Sequence, residues 1–267
     1  MSAGSPSAVK LDRWLVAAAL FAVTALAWAY MIHEAREMSF NGVCHCAGMT
    51  MSGPDVRPWS VTALVPLFLM WAEMMVAMML PSAAPMIMTF VLINRRRREQ
   101  ELPYVASAIF GLGYLTAWIG FSVLASVVQW ILHGLALLSP TMTAHSSWLA
   151  GGLLVAAGAF QWTPLKHACL EHCRSPINLL LNEWRDGPKG ALIMGVRGGL
   201  YCTGCCWMLM ILLFVAGVMN LWWVGLITLF VLAEKILPHT WRVGTVAGVS
   251  LLIWGLLVSA RVLPPTA

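Results

Sequence analysis

The chain carries about seven apolar runs, each near the ~20 residues an α-helix needs to cross a hydrocarbon layer of about 30 Å. They cover residues 14–31, 60–94, 103–132, 146–165, 198–219, 221–237 and 244–263. Such runs leave few options, because in lipid every backbone polar group must find its partner within the chain, and a helix does this alone. Composition agrees: 60% of the 267 residues are hydrophobic and 10% are charged, against about 25% charged in a soluble domain. The expected fold is all-α, a polytopic membrane helix bundle of about seven transmembrane helices forming one domain over residues 1–267. The second run is too long for one straight crossing and contains Pro81 and Pro85, so it is expected to kink or break there.

Basic residues near span ends stay on the cytoplasmic side. Lys10 and Arg13 precede the first run, Arg95, Arg96, Arg97 and Arg98 follow the second, Lys166, Arg174, Arg185 and Lys189 separate the fourth from the fifth, and Lys235 and Arg242 separate the sixth from the seventh. All fall on one side if the N-terminus is cytoplasmic and the C-terminus outside, in a bacterial inner membrane. Topology thus accounts for the net charge of +5, and no basic patch interleaved with aromatics points to nucleic acid. The first run exceeds the ~7–15 residues of a signal h-region and reads as a retained anchor. The long outer loop covers residues 33–59.

Five of the seven cysteines fall into two clusters, Cys169 with Cys173 and Cys202 with Cys205 and Cys206. Residues three and four apart share a helix face, so each cluster presents its sulfurs together, and His172 adjoins the first. Taking Arg197 as the cytoplasmic edge of the fifth run puts Cys202 to Cys206 roughly 7–14 Å inside it. Cys169 and Cys173 follow Lys166 at the same border, so the clusters can face one another. Thiolates select Cu(I), or zinc as the alternative. A reducing cytoplasmic side argues against structural disulfides there. The competing reading is packing, since free cysteine is a small buried hydrophobe.

Residues 69–88 hold seven of the seventeen methionines. Met70, Met74 and Met78 form one stripe and Met75, Met79 and Met86 another, one expected to face the interior and the other lipid or a neighbour. Thioethers bind Cu(I), although Met also simply fills gaps. Glu73, an acid inside a span, requires a function or a buried partner, with Arg197 and Lys235 as candidates; Glu234 raises the same question. In the outer loop, Cys44, His45, Cys46, Met49 and Met51 place five soft donors within eight residues, suited to capturing a cation or to an outward disulfide. His133, Met142 and His145 in the next outer loop are further candidates. No Walker motif and no haem-attachment C-x-x-C-H is present.

The stretches "MWAEMMVAMMLPSAAP", "QWTPLKHACLEHCRSP" and "CTGCCWMLMILLFVAGVMNLWW", with "AEK" at residues 233–235, resemble the bacterial family of predicted metal-binding integral membrane proteins catalogued as domain of unknown function 2182. The resemblance covers about residues 60–235. It implies a multi-span membrane protein that binds a metal, with some members labelled copper chaperones. By position it supports Glu73, Met74, Met78, Pro81, Cys169, Cys173, Cys202, Cys205, Cys206 and Glu234 as the family pattern.

The leading expectation is a membrane protein that binds Cu(I) at Cys169, Cys173, Cys202, Cys205 and Cys206 and transfers it across or into the membrane, with Glu73 and the methionines lining the approach. A metal-donor or metal-acceptor protein or other membrane subunits are its expected partners, beside the lipid bilayer and the ion. The alternatives are a membrane oxidoreductase, either a thiol–disulfide enzyme or a metal-dependent oxidase or oxygenase subunit, and a non-catalytic assembly subunit.

Overall fold

The computed structural model describes residues 6–41, 43–44, 49–50, 64–99, 106–134, 147–218, 220–237 and 243–261. Among these, α1 (Pro6–Asn41) leads to a two-residue antiparallel ladder of β1 (Val43–Cys44) and β2 (Met49–Thr50). Then come α2 (Leu64–Glu99), α3 (Ser107–Gly134), α4 (Ser147–Phe160), α5 (Pro164–Arg174), α6 (Pro176–Asn182), α7 (Gly187–Ile211), α8 (Leu213–Ala216), α9 (Leu221–Ile236) and α10 (Val243–Ser259). The helical fold class is as expected.

The number of full crossings is not. Four segments of the described residues are long and apolar enough to cross a membrane: Trp14–Arg36, Leu64–Arg97, Ser107–Leu132 and Gly187–Ala216. The other apolar runs are cut short by turn chemistry. α4 stops at Phe160, where Gln161 and Trp162 turn the chain into Pro164, the first residue of α5. α7 gives way to α8, which ends at Gly217, whose φ of 88° is a left-handed conformation open to glycine at no cost. α9 ends two residues before Pro238. Helices α4, α9 and α10 hold 14, 16 and 17 residues, or about 21–26 Å, less than the ~30 Å of a hydrocarbon core.

α2 runs through both prolines as one 36-residue helix, without the break that was one of the expected outcomes. Pro81 has no N–H for the carbonyl four residues back, and that carbonyl, of Ala77, instead accepts from the indole Nε1 of Trp28 at 3.1 Å. The bond both satisfies the orphaned acceptor and fixes the register of α1 against α2. Of the two outcomes expected for the second methionine stripe, lipid or a neighbouring helix, the fold takes the neighbour, since both stripes are buried: Met70, Met74 and Met78 are 6%, 1% and 0% exposed, and Met75, Met79 and Met86 are 0%, 0% and 4% exposed. α1 covers one side of α2 and α3 packs against another, with α9 adding contacts, so both methionine stripes are covered while residues such as Leu69 stay exposed.

Small residues bring the helix backbones together. α3 and α7 run parallel, with Gly113 beside Leu192 and Gly199 beside Tyr114. A Cβ on Gly195 would sit 2.1 Å from the carbonyl oxygen of Phe110. α4 and α10 meet in the same way through Gly151, Gly158, Gly248 and Gly255. The close α3–α7 approach is what carries Tyr114 to the cysteines.

Candidate metal centre

α5 begins at a strong start signal. Thr163 caps it, accepting the Lys166 backbone N–H, and Pro164 supplies a preset first turn. Its buried residues Lys166, Leu170 and Cys173 recur at helical spacing and form one inward face. α9 fixes that face: Lys166 Nζ meets both Glu234 oxygens, at 2.7 and 2.8 Å, and the Gln161 side-chain carbonyl. Arg174 Nε donates to the Glu234 backbone carbonyl at 2.7 Å. One residue of α9 thus holds both ends of α5, and Cys169 and Cys173 lie between those ends.

Sulfurs from α5 and α7 converge. Cys202, Cys205 and Cys206 are buried on α7, Cys173 is buried on α5, Cys169 is half-buried, and all five are free thiols. Cys173 shares hydrogen bonds with Cys202 and Cys205. The thiols of Cys205 and Cys206 donate to the Cys202 carbonyl at 3.0 and 2.9 Å. Gly204 makes room for the remaining sulfur: a Cβ there would stand 2.7 Å from Cys169 Sγ.

Cys202 is the hub. Its Sγ accepts from the Tyr114 hydroxyl at 2.9 Å and from Lys235 Nζ at 2.9 Å, and the same ammonium donates to Ser82 Oγ at 2.9 Å. Four helices, α2, α3, α7 and α9, are therefore tied together at the level of Cys202, where α5 packs on α7 and α9. α5 lies outside the four crossing segments, and its two thiols are both held protonated. Burial, then the neighbouring Cys205, pushes Cys169 above the usual thiol range. Hydrogen bonds to Cys202 and Cys205, with burial, hold Cys173 well above it. Among the described residues, no three His, Cys, Asp or Glu side chains stand ready to hold a metal ion. The thiols form a hydrogen-bonded cluster, and a soft cation would enter it by displacing S–H protons.

The expected edge at Arg197 is not a helix end. α7 starts ten residues earlier, at Gly187, so Cys202 lies roughly 22 Å along it. Arg197 instead pairs with Glu183 at 2.6 Å. Glu73 therefore meets neither expected cation, since Lys235 serves Cys202 and Ser82. Its Oε1 is buried without a hydrogen-bond partner. His172 has Nδ1 2.7 Å from the Ala168 carbonyl oxygen and stacks its ring on Tyr201 at 4.3 Å, contacts that leave Nε2 uncommitted. Met74 and Met78 are packed in the core. The methionine that the contacts tie to the thiols is Met79, whose Sδ is 4.0 Å from Ser82 Oγ. In the outer loop, β pairing sets Cys44 opposite Met49, whereas His45, Cys46 and Met51 lie outside the described residues, as do Met142, His145 and the side chain of His133.

Tyr114, Ser82, Lys166 and Lys235 are not among the site residues expected from the sequence. Topology alone accounts for Lys166 there and Lys235 is offered only as a partner for Glu73, yet Lys166 is 2% exposed in an ion pair and Lys235 reaches a sulfur. A signal was present: both lysines lie inside the stretches that carried the family resemblance.

No curated protein and no solved structure matches the chain. The copper chaperone family PpoB2 does match, over residues 68–258, from within the first turns of α2 to the last turn of α10, and takes in every residue of the thiol cluster. The chain belongs to that copper chaperone family.

Proposed function

We propose that this is an integral membrane copper chaperone that accepts Cu(I) as cargo at Cys169, Cys173, Cys202, Cys205 and Cys206 and passes it on to an acceptor protein or across the bilayer. The observation that carries this reading is the meeting of α5 and α7 thiols around Cys202, inside a chain of a copper chaperone family. Thiolates are the protein donors best matched to Cu(I), which accepts sites of low coordination number. Two S–H groups losing their protons suffice for a first bond pair, with Cys205, Cys206 or Cys173 supplying a third donor.

The membrane setting rests on the four long apolar helices. The Arg97–Asp186 pair, at 2.5 Å, joins the C-terminal end of α2 to the start of α7. This supports a single basic, cytoplasmic end, with the N-terminus on that side and an inner-membrane location. Cys202 lies roughly 22 Å along α7 from that basic end, and α9 ends level with it where Lys235 reaches its sulfur, which supports a site set well inside the apolar layer.

The test is metal analysis of full-length protein purified without chelators. About one tightly held copper per chain is expected, lost in Cys202→Ser/Cys205→Ser/Cys206→Ser. Copper-free protein, together with full biological activity in that variant, would refute the reading.

One observation favours a second reading. Cys202 Sγ receives an ammonium and a hydroxyl, a setting that stabilises a thiolate nucleophile. Thiol–disulfide exchange with a partner would then leave a Cys202–Cys205 or Cys169–Cys173 disulfide after oxidation. Peptide mapping under oxidation separates the two readings, because bound copper protects the thiols from alkylation.

A further inference from the structure

On α1, among the residues whose side chains are described, the buried ones are Met31 and Glu34, at 4% and 7% exposed. Both face α2, because the Trp28–Ala77 bond fixes the register. Counting antiparallel from that bond brings Met31 and Glu34 to the level of Met70, Glu73 and Met74, which share one helix face with Ala77. Met70 and Met74 are 6% and 1% exposed. The seam between α1 and α2 therefore holds two carboxylates and three thioethers in an apolar layer.

The carboxylates lack what they need. Glu34 Oε2 and Glu73 Oε1 are both buried without a hydrogen-bond partner, and the two groups repel one another electrostatically. Tyr30 donates to Glu34, and among the described residues no basic side chain is paired with either acid. A buried acid, Glu34, beside a half-buried one, Glu73, each with a buried oxygen left without a partner, favours a cation or a proton between them. Three neighbouring thioethers discriminate in favour of a soft ion, since Met binds Cu(I) and offers little to a hard cation or a proton.

We propose that Glu34, Glu73, Met31, Met70 and Met74 form a second cation site, separate from the thiol cluster, that takes Cu(I). The acids supply charge and the thioethers the selectivity. Thioethers bind Cu(I) less tightly than thiolates, so this site fills after the thiols and releases its ion more readily. It does not depend on the thiol reading.

The experiment is a Cu(I) titration of the full chain in detergent micelles against a graded chelator. Wild type takes up a second, weaker equivalent. Met31→Leu/Met70→Leu/Met74→Leu, a near volume-conserving change, loses that equivalent and keeps the first. Glu34→Gln/Glu73→Gln weakens it at least tenfold. Cys202→Ser/Cys205→Ser/Cys206→Ser loses the first equivalent and keeps the second, so failure of either site is read separately. If the triple methionine variant does not fold, Met74→Leu alone must still weaken the second equivalent. A wild type without a second equivalent overturns the proposal, as does one whose second equivalent is unchanged in these variants. The acids would then share only a proton.

Discussion

Gly204→Ala separates metal binding from stability by sending them in opposite directions. The added Cβ would meet one side chain, with Cys169 Sγ at 2.7 Å and Cys169 Cβ at 3.5 Å. Ordinary contact begins near 3.4 Å, so the sulfur must retreat by about 0.7 Å, which a half-exposed thiol can do by rotating. Metal–sulfur distances tolerate only about 0.2 Å. A Cys169 that donates to copper in wild type is thereby moved out of reach. Loss of one donor corresponds to a fall in Cu(I) affinity of about tenfold or more, in the range for disturbed metal surroundings. The same change removes a mid-helix glycine, which favours the folded state by up to about 1 kcal/mol. Chelator competition gives the affinity and thermal unfolding of the metal-free protein gives the stability. A Gly204→Ala protein that is at least as stable and binds Cu(I) as tightly as wild type would refute the role of Cys169.

Lys166→Met leaves Glu234 as an unpaired buried acid and is expected to lower stability by about 3–5 kcal/mol, with Lys166→Met/Glu234→Leu recovering much of the loss by chemical denaturation. Trp28→Phe frees the Ala77 carbonyl at a cost of about 1–3 kcal/mol. Pro81→Ala restores a backbone N–H to that carbonyl, so the same Trp28→Phe change should cost clearly less in its background; equal costs in both would refute the assignment. Cys169 and Cys173 hold their protons above the ordinary thiol range, so Cu(I) must displace protons that become easier to remove as pH rises. Apparent Cu(I) affinity is therefore expected to increase from about pH 6 to about pH 8, with proton release measurable by calorimetry in two buffers; a pH-independent affinity would contradict thiol ligation.

Local pattern reached some of this and distance in sequence hid the rest. The apolar runs announced helices, and the i, i+3, i+4 spacing of Cys202, Cys205 and Cys206 put three sulfurs on one face, as the geometry bears out. The meeting of that face with Cys169 and Cys173 followed from placing both at one border. Hydropathy could not see where helices stop, because the turn at Gln161–Thr163 and the reversal at Gly217 lie within continuous apolar sequence. Nor does charge counting distinguish a lysine at a lipid headgroup from Lys166, whose acid lies 68 positions away. The glycines of "MGVRGGLYCTGCC" were a usable signal for a close helix approach, but which helix approaches is a tertiary fact. An acid within a span, Glu73, is visible in the sequence, but the groups expected to serve it are engaged by Glu183 and Cys202, partners that spacing alone does not reveal.

The most direct test is copper X-ray absorption on full-length protein loaded with one equivalent of Cu(I). Thiol ligation predicts a first shell of sulfur at short thiolate distances, abolished in Cys202→Ser/Cys205→Ser/Cys206→Ser. A shell of nitrogen and oxygen, or a spectrum unchanged in that variant, would contradict it.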